Sequence, residues 1–305
     1  MAEPRVDILM ATYNGASFLQ EQVESIRGQD HRNWRLLVHD DGSRDQTLAI
    51  LREFVAIDER IVLIEDEQKG LGAARNFLHL LGYADAPYVF FADQDDVWLP
   101  SKVSRQLAGF PRHDVPSVQY CNGYYLVDDR IEQRFVNRLH PRKLNEQLFL
   151  NGGIVGCSMV MNRAMQRLVL PAPQYVAMHD HLLVTAALTF GELHYVDVPL
   201  FYYRQHSHNV TGKQERRLFA HIKGKLLSKR TLVDHRHYEA NRSFYAHFKN
   251  RLPSSISALF EAYFAIINEK RLFRRLLLVK QHQFQLAHKK YLLYLKTILR
   301  KTGKE

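Results

Sequence analysis

Residues 88–98 read Tyr88-Val89-Phe90-Phe91-Ala92-Asp93-Gln94-Asp95-Asp96-Val97-Trp98. An apolar run without polar interruption is how a strand buried on both faces reads. Three carboxylates then crowd the next four positions, and holding them together without a counter-cation is costly. A hard divalent ion bridging carboxylates and substrate phosphates removes that cost. The plainer alternative is a charged loop heading a helix near Pro100, with Asp96 as its cap.

Outward from this strand, Val6–Ala11, Leu36–Val38 and Ile61–Ile64 have the same character. Helix-length stretches lie between them, with apolar residues three or four apart: Phe18, Val23 and Ile26; Leu48, Leu51 and Val55; Ala74, Phe77, Leu78 and Leu81. Ser43 and Asp45 suit the cap of the second. Strand–helix repeats of this length predict an α/β fold, a mostly parallel sheet with helices on both faces. Ligands of such sheets sit beyond the carboxyl ends of the strands. From Val115 the pattern shifts to a strand at Ser117–Val127, a Gly-rich segment at Asn151–Cys157, helices at Met161–Leu168 and His181–Phe190, and strand pairs over Glu192–Tyr203 broken by Pro199. Beyond Gly212 the pattern is helical.

The chain has 305 residues and a formal charge of +10, which hides an asymmetry. Residues 213–305 carry 22 Lys/Arg against 6 Asp/Glu, leaving 20 against 26 in residues 1–212. The expected organisation is a catalytic domain over 1–212, donor-binding to about 112 and acceptor-binding and catalytic from about 113, followed by a basic helical region at 213–305. Cys121 and Cys157 form neither a disulfide framework nor a zinc pattern. The opening residues lack a signal peptide's apolar stretch and no run is long enough to span a bilayer, so the expected location is the cytoplasm.

Three more clusters follow strand ends. Ala11-Thr12-Tyr13-Asn14-Gly15 offers a hydroxyl, a ring and an amide suited to a base and ribose, without the three spaced glycines of a dinucleotide fingerprint. His39-Asp40-Asp41-Gly42-Ser43-Arg44-Asp45 places adjacent carboxylates where they repel unless they bond a ligand or backbone amides; a ligand role is favoured for Asp41 over Asp40. His179-Asp180-His181 precedes an apolar helix, so Asp180 reads either as a general base of fixed geometry or as an N-cap. His206 stands among Arg204, Gln205 and Asn209.

The ordered set ATYNGASFLQEQVESI, HDDGSRDQT, KGLGAARN, ADQDDVW, GCSMVMNRA, MHD and YRQHSHNVTG resembles the inverting glycosyltransferases of family 2 over about residues 5–212. The DQDD, MHD and YRQH segments resemble its rhamnosyltransferase-like subgroup, which builds bacterial surface polysaccharides. The resemblance implies the GT-A fold, a Rossmann-like sheet with an acceptor region appended. It implies Mg²⁺ or Mn²⁺ as cofactor, with Asp93 and Asp95 as metal carboxylates, Asp95 the direct ligand, and His206 at the diphosphate and metal. Ala11, Thr12, Tyr13, Asn14, Asp40, Asp41 and Gln94 then line the nucleotide sugar, Lys69 and Arg75 its phosphates. Asp180 becomes the catalytic base, with Gly156, Cys157, His179, Arg204 and Gln205 around the acceptor. The implied donor is dTDP-rhamnose, with UDP-hexoses behind it, and the acceptor a hydroxyl of a lipopolysaccharide, O-antigen or related glycan. His181-Leu182 stands where such relatives often carry aromatic residues, which bears on the acceptor.

In the tail, Phe284, Ala287, Tyr291, Tyr294 or Leu295, and Ile298 follow helical spacing among Lys289, Lys290, Lys296 and Arg300. Such helices suit the inner, anionic face of the cytoplasmic membrane; the alternative is packing on the catalytic body or on a second subunit, as in a homodimer. A nucleic-acid binder is disfavoured because the cations avoid the α/β body. A nucleotidyltransferase would also use Asp-bound Mg²⁺, but would release pyrophosphate rather than a nucleoside diphosphate.

Overall fold

The computed structural model describes residues 3–110, 114–206, 231–287 and 289–300. The first strand, β1 (Val6–Thr12), is joined through α1 (Ala16–Arg27) to β2 (Trp34–Asp40), which leads through α2 (Thr47–Ile57) to β3 (Ile61–Leu63) and through α3 (Gly72–Leu81) to β4 (Tyr88–Ala92). These four strands run parallel in the order β3-β2-β1-β4. The sheet continues through β8 (Met159–Asn162), β6 (Ser117–Val127) and β9 (Glu192–Gln205) to the short β5 (Val97–Trp98), with β7 (Arg130–Phe135) paired to β6. Links β4/β8, β8/β6 and β9/β5 are antiparallel, while β6/β9 is parallel. The fold is the GT-A-like α/β fold.

Both faces of the parallel strands are covered. Val6, Ile8 and Met10 of β1 and Tyr88, Phe90 and Ala92 of β4 share a core with Leu19, Val23 and Ile26 of α1 and Leu51 and Phe54 of α2. Phe91 points to the opposite face and meets Phe77 of α3 at 5.8 Å between ring centroids. Strand residues alternate between the faces, so an uninterrupted apolar run was required.

Some elements depart from expectation. The buried positions of α2 are Thr47, Leu51 and Phe54, and Val55 is exposed; the Thr47 hydroxyl accepts the Gly15 N–H (2.8 Å) and donates to Asp45, which turns the helix start inward. In α3, Asn76 is buried in place of Ala74, because its amide bonds His39. Pro199 does not split β9: the strand continues with a register shift opposite Cys121 and Asn122, where the missing N–H interrupts the ladder.

The chain divides into two compact units. The first, Met1–Arg138, Ile154–Ala172 and Met178–Gln205, holds the whole sheet with α4 (Lys102–Ala108), α6 (Arg163–Val169) and α7 (His179–Phe190). The second, Leu139–Gly153, Pro173–Ala177 and His206–Glu305, contains α5 (Leu144–Gln147), α8 (His235–Phe248), α9 (Ser254–Asn268), α10 (Leu272–Gln281) and α11 (Lys290–Leu299). Residues 139–153, expected within the catalytic half, therefore pack with the helices. Phe149 explains this: it is fully buried and meets Tyr263 and Phe284 at 5.0 and 5.1 Å between ring centroids. Residues 207–230, which begin the basic region, and residues 301–305 lie outside the described residues. Among the described residues no helix is long and apolar enough to cross a membrane.

Candidate active site

The ends of β1, β2 and β4 come together, as the parallel register requires: Thr12 stands beside Asp40, and Met10 beside Ala92. At the β2 end the two acids are held by the chain itself. One oxygen of Asp40 accepts the hydroxyls of Thr12 (3.0 Å) and Ser43 (2.6 Å), and the other accepts the amides of Gly42 (3.1 Å) and Ser43 (2.8 Å). The Asp41 oxygens accept the amides of Leu71 (2.7 Å) and Gly72 (2.8 Å), where α3 begins. Asp45 accepts the amides of Thr47 and Ala16 at the starts of two helices, while Ser43 is occupied with Asp40 and the Asn14 amide.

The β1 loop is stapled to the β4 loop. The Gln94 side chain accepts the Tyr13 N–H at 2.9 Å and donates to the Tyr13 carbonyl at 3.0 Å. A side chain at position 15 would place its Cβ 2.2 Å from the Gln94 oxygen, so anything larger than Gly15 displaces the Gln94 side chain from this staple. Asn14 adopts a left-handed φ of 47° and accepts the Arg44 amide. The Tyr13 ring stands 54% exposed beside this staple, available to stack on a planar ligand. Ala11 is half-buried, and Lys69 and Arg75 are exposed on the β3–α3 connection and on α3; the Lys69 stem lies over Gly42.

The β4 end is different. Asp96 is fully buried, accepts the Arg204 amide through one oxygen (3.1 Å), and its other oxygen has no hydrogen-bond partner. It does not cap α4, whose N-cap is Ser101; the apolar pair Val97-Trp98 returns the chain to the sheet first. Asp93 and Asp96 converge with Cys157, their ligand atoms all within 4.8 Å of one another. Burial, then the charge of Asp95, pushes the Asp93 carboxyl up to about 7, and Asp180 pushes in the same direction. Burial, then Asp95 and Asp93, also raises Asp96 well above the carboxylate range. Burial, followed by the charges of Asp96 and Asp93, raises the Cys157 thiol. These acids crowd in low dielectric with few donors, which is the condition a divalent cation relieves. The orphaned Asp96 oxygen and the raised acids fit such an ion.

Asp180 lies in the first turn of α7 and accepts the His181 amide at 2.5 Å. The N-cap of α7 is Met178, so the capping reading of Asp180 does not hold. His179, expected near the acceptor, is corrected: it is buried, with neither ring nitrogen hydrogen-bonded. Its ring sits 4.2 Å from that of Phe77 and 4.9 Å from that of Phe91. Burial lowers its pKa to about 3, so it is neutral. Any Cβ at Gly156 would approach its Nε2 to 2.2 Å. Gly156 and Cys157 are likewise internal rather than acceptor-facing. His179 therefore wedges the start of α7 and fixes the backbone that carries Asp180.

Arg204 of β9 ties the acidic loop in place. Its Nε donates to the Asp95 carbonyl (3.0 Å), one terminal nitrogen to Asp129 (3.1 Å) and the other to Glu21, and its guanidinium lies 4.8 Å from the Phe18 ring centroid. Gln205 is half-buried next to it, and His206 belongs to the second unit. Sequence reasoning missed Glu21 and Asp129 as partners of this arginine; distance along the chain hid them.

The GT-A-like sheet thus gathers an exposed aromatic ring, amides and crowded, largely buried acids at its strand ends. The sequence profile of glycosyl transferase family 2 matches residues 7–168, and the chain belongs to that family. It is 33% identical over 162 residues to a putative teichuronic acid biosynthesis glycosyltransferase, TuaG, of Bacillus subtilis, covering 52% of this chain and 62% of that one. Over 162 residues it is 32% identical to the Escherichia coli UDP-Glc:alpha-D-GlcNAc-diphosphoundecaprenol beta-1,3-glucosyltransferase WfgD, covering 52% and 61%. The chain thus spans about three fifths of the length of these relatives. The dTDP-rhamnosyl transferase RfbG of Shigella flexneri is 27% identical over 215 residues, 67% of this chain and 73% of that one. Among solved structures, S. aureus TarS 1-349 in complex with UDP-GlcNAc superposes with a TM-score of 0.60 at 16% identity, covering 91% of this chain and 73% of TarS 1-349. The mannosyltransferase PcManGT of Pyrobaculum calidifontis, in complex with GDP-Man and Mn²⁺, gives 0.53 at 13%, covering 98% and 87%. These likenesses show the fold.

Proposed function

We propose that this chain transfers a sugar from a nucleoside diphosphate sugar to an acceptor hydroxyl of a bacterial surface glycan, with inversion at the anomeric carbon. The carrying observation is the convergence of Asp93 and Asp96 with Cys157 at the β4 end, where the charge of Asp180 adds to what raises Asp93. In one displacement the acceptor oxygen bonds to the anomeric carbon while the bond from that carbon to the donor phosphate oxygen breaks. The bonding pair leaves with the nucleoside diphosphate, and Asp180 takes the hydroxyl proton. A divalent cation held by Asp93 and Asp95, with Asp96 behind them, would supply the positive charge that the departing diphosphate needs. Tyr13 stacks on the base, Asn14 faces the ribose, the buried Thr12 holds Asp40 behind them, and Lys69 and Arg75 attract the phosphates; Gln94 and Arg204 hold the two loops at fixed separation.

The donor assigned first is dTDP-rhamnose, supported by the RfbG likeness. UDP-hexoses are the second reading, supported by the WfgD likeness. Docking to an anionic membrane surface is supported by the second unit, where Phe273 (78% exposed) and Tyr291 (89% exposed) accompany Leu277, Leu295 and Ile298 on α10 and α11 among Lys and Arg residues. The test is product analysis with each nucleotide sugar plus Mn²⁺. Release of nucleoside diphosphate is expected, and Asp180→Asn should lower kcat by about 10²–10⁴ while nucleotide binding stays within a factor of about two. Release of pyrophosphate, or full activity of the variant, overturns the reading.

A further inference from the structure

A second set of metal-type ligands lies in the first unit outside the acidic loop. His39 ends β2, Asp66 lies on the connection from β3 to α3, and His79 is in α3; one ligand atom of each falls within 4.8 Å of the others. His39 Nε2 is 3.3 Å from Asp66 Oδ1, and His79 Nε2 is 2.7 Å from Asp66 Oδ2. A tetrahedral ion with bonds of about 2.0–2.1 Å separates neighbouring ligand atoms by about 3.3 Å, which matches the His39–Asp66 spacing and exceeds the His79–Asp66 one.

The protonation of His39 gives the set its direction. The Asn76 Nδ2 donates to the His39 carbonyl at 3.2 Å, which fixes the amide and leaves Oδ1 facing His39 Nδ1 at 2.7 Å. An acceptor there requires the proton on Nδ1. In the neutral ring, Nε2 therefore presents a lone pair to a carboxylate, a part-buried contact that a cation satisfies. Outer partners are also in place: Asp66 accepts the Gln68 amide (2.9 Å) and the Tyr83 hydroxyl (3.0 Å), as ligating carboxylates generally do. The side chains of Asp66 and His79 are 24% and 22% exposed, which leaves an entry path and room for a water ligand.

We infer that His39, Asp66 and His79 bind a divalent ion of the zinc class, separate from any ion at the acidic loop. Two imidazoles and one carboxylate suit zinc rather than Mg²⁺. Binding replaces the His79 Nε2 proton, which passes to solvent. The ion would join the β2 end, the connection bearing Lys69 and α3, the segments through which Asp41 is held by Leu71 and Gly72. This inference does not depend on the transfer reaction.

The test uses the untagged full chain, stripped of metal and titrated with Zn²⁺ and then Co²⁺. One equivalent of Zn²⁺ is expected to raise Tm, and Co²⁺ to give the visible ligand-field bands of a four- or five-coordinate ion. His79→Gln, on the exposed side, should weaken binding by more than the about 10–100-fold that loss of an outer partner costs, and Asn76→Leu should fall within that range. Asp96→Asn should leave the bands intact. The inference is overturned if no bands form, if they persist in His79→Gln, or if they vanish in Asp96→Asn with a thiolate charge-transfer band marking Cys157 instead.

Discussion

Two neighbouring strand ends carry acids and treat them in opposite ways. After β2, Asp40 and Asp41 lie side by side, yet their oxygens accept two hydroxyls and four backbone amides. After β4, Asp96 keeps an oxygen without a partner, and it and Asp93 are pushed up by burial and then by the charge of Asp95. Residue type and fold position are alike; the supply of donors differs. The turn after Asp40 folds back and aims its amides at the carboxylate, whereas the chain after Asp95 runs straight into β5. Acids of the first kind build the loop, and acids of the second kind are left for the proposed cation.

Substitution can break that contrast. Asp40→Ala orphans the buried Thr12 hydroxyl and two amides and should cost about 3 kcal/mol, on about 1–3 kcal/mol for each buried group left unsatisfied, measured by urea unfolding. Asp96→Asn keeps the acceptor for the Arg204 amide and removes a buried like charge, so it should stabilise the cation-free protein. It should also weaken Mn²⁺-dependent nucleotide binding by at least about tenfold, about 1.4 kcal/mol, measured by calorimetry. The same sign of stability change for both variants would erase the distinction. Asp41→Ala should cost about 1 kcal/mol through the α3 start it caps.

Acidity sharpens the contrast further, with the smallest effects. Asp93 has a folded pKa of about 7 against an unfolded value of about 3.9. The native state then holds more protons, and cation-free stability falls as pH rises from about 4 to about 7, flattening above. Mn²⁺ should reverse that slope, because it requires the ionised form. His179 contributes oppositely: its folded value of about 3 lies below the usual 6.5, so its contribution is full above about 6.5 and is lost as pH falls towards about 3. His179→Phe should flatten that acid limb in thermal unfolding curves.

Much of this was legible in the sequence because it rests on local pattern. Tyr88–Ala92 was read to the residue, since a strand buried on both faces tolerates no polar interruption. The stripe of α2 was misread because Thr47 counts as polar yet turns inward to bond Gly15. Pro199 was read as a break because an unpaired register shift leaves no trace in composition. Cys157 beneath the acids, and Phe149 in the helical unit, depend on contacts that only the folded chain makes. Asp96 was assigned no place among the metal carboxylates, because capping residues and buried acids look identical until the neighbours are in place.

The Arg204 anchorage has a consequence for how the protein is made. The acidic loop is synthesised about a hundred residues before the arginine that binds the Asp95 carbonyl and supplies the Asp96 amide contact. Until β9 leaves the ribosome, the loop has no tether on that side, so its final shape waits on a late, long-range closure. A nascent chain stalled before residue 204 would carry every acid of the cluster and still lack the cluster itself.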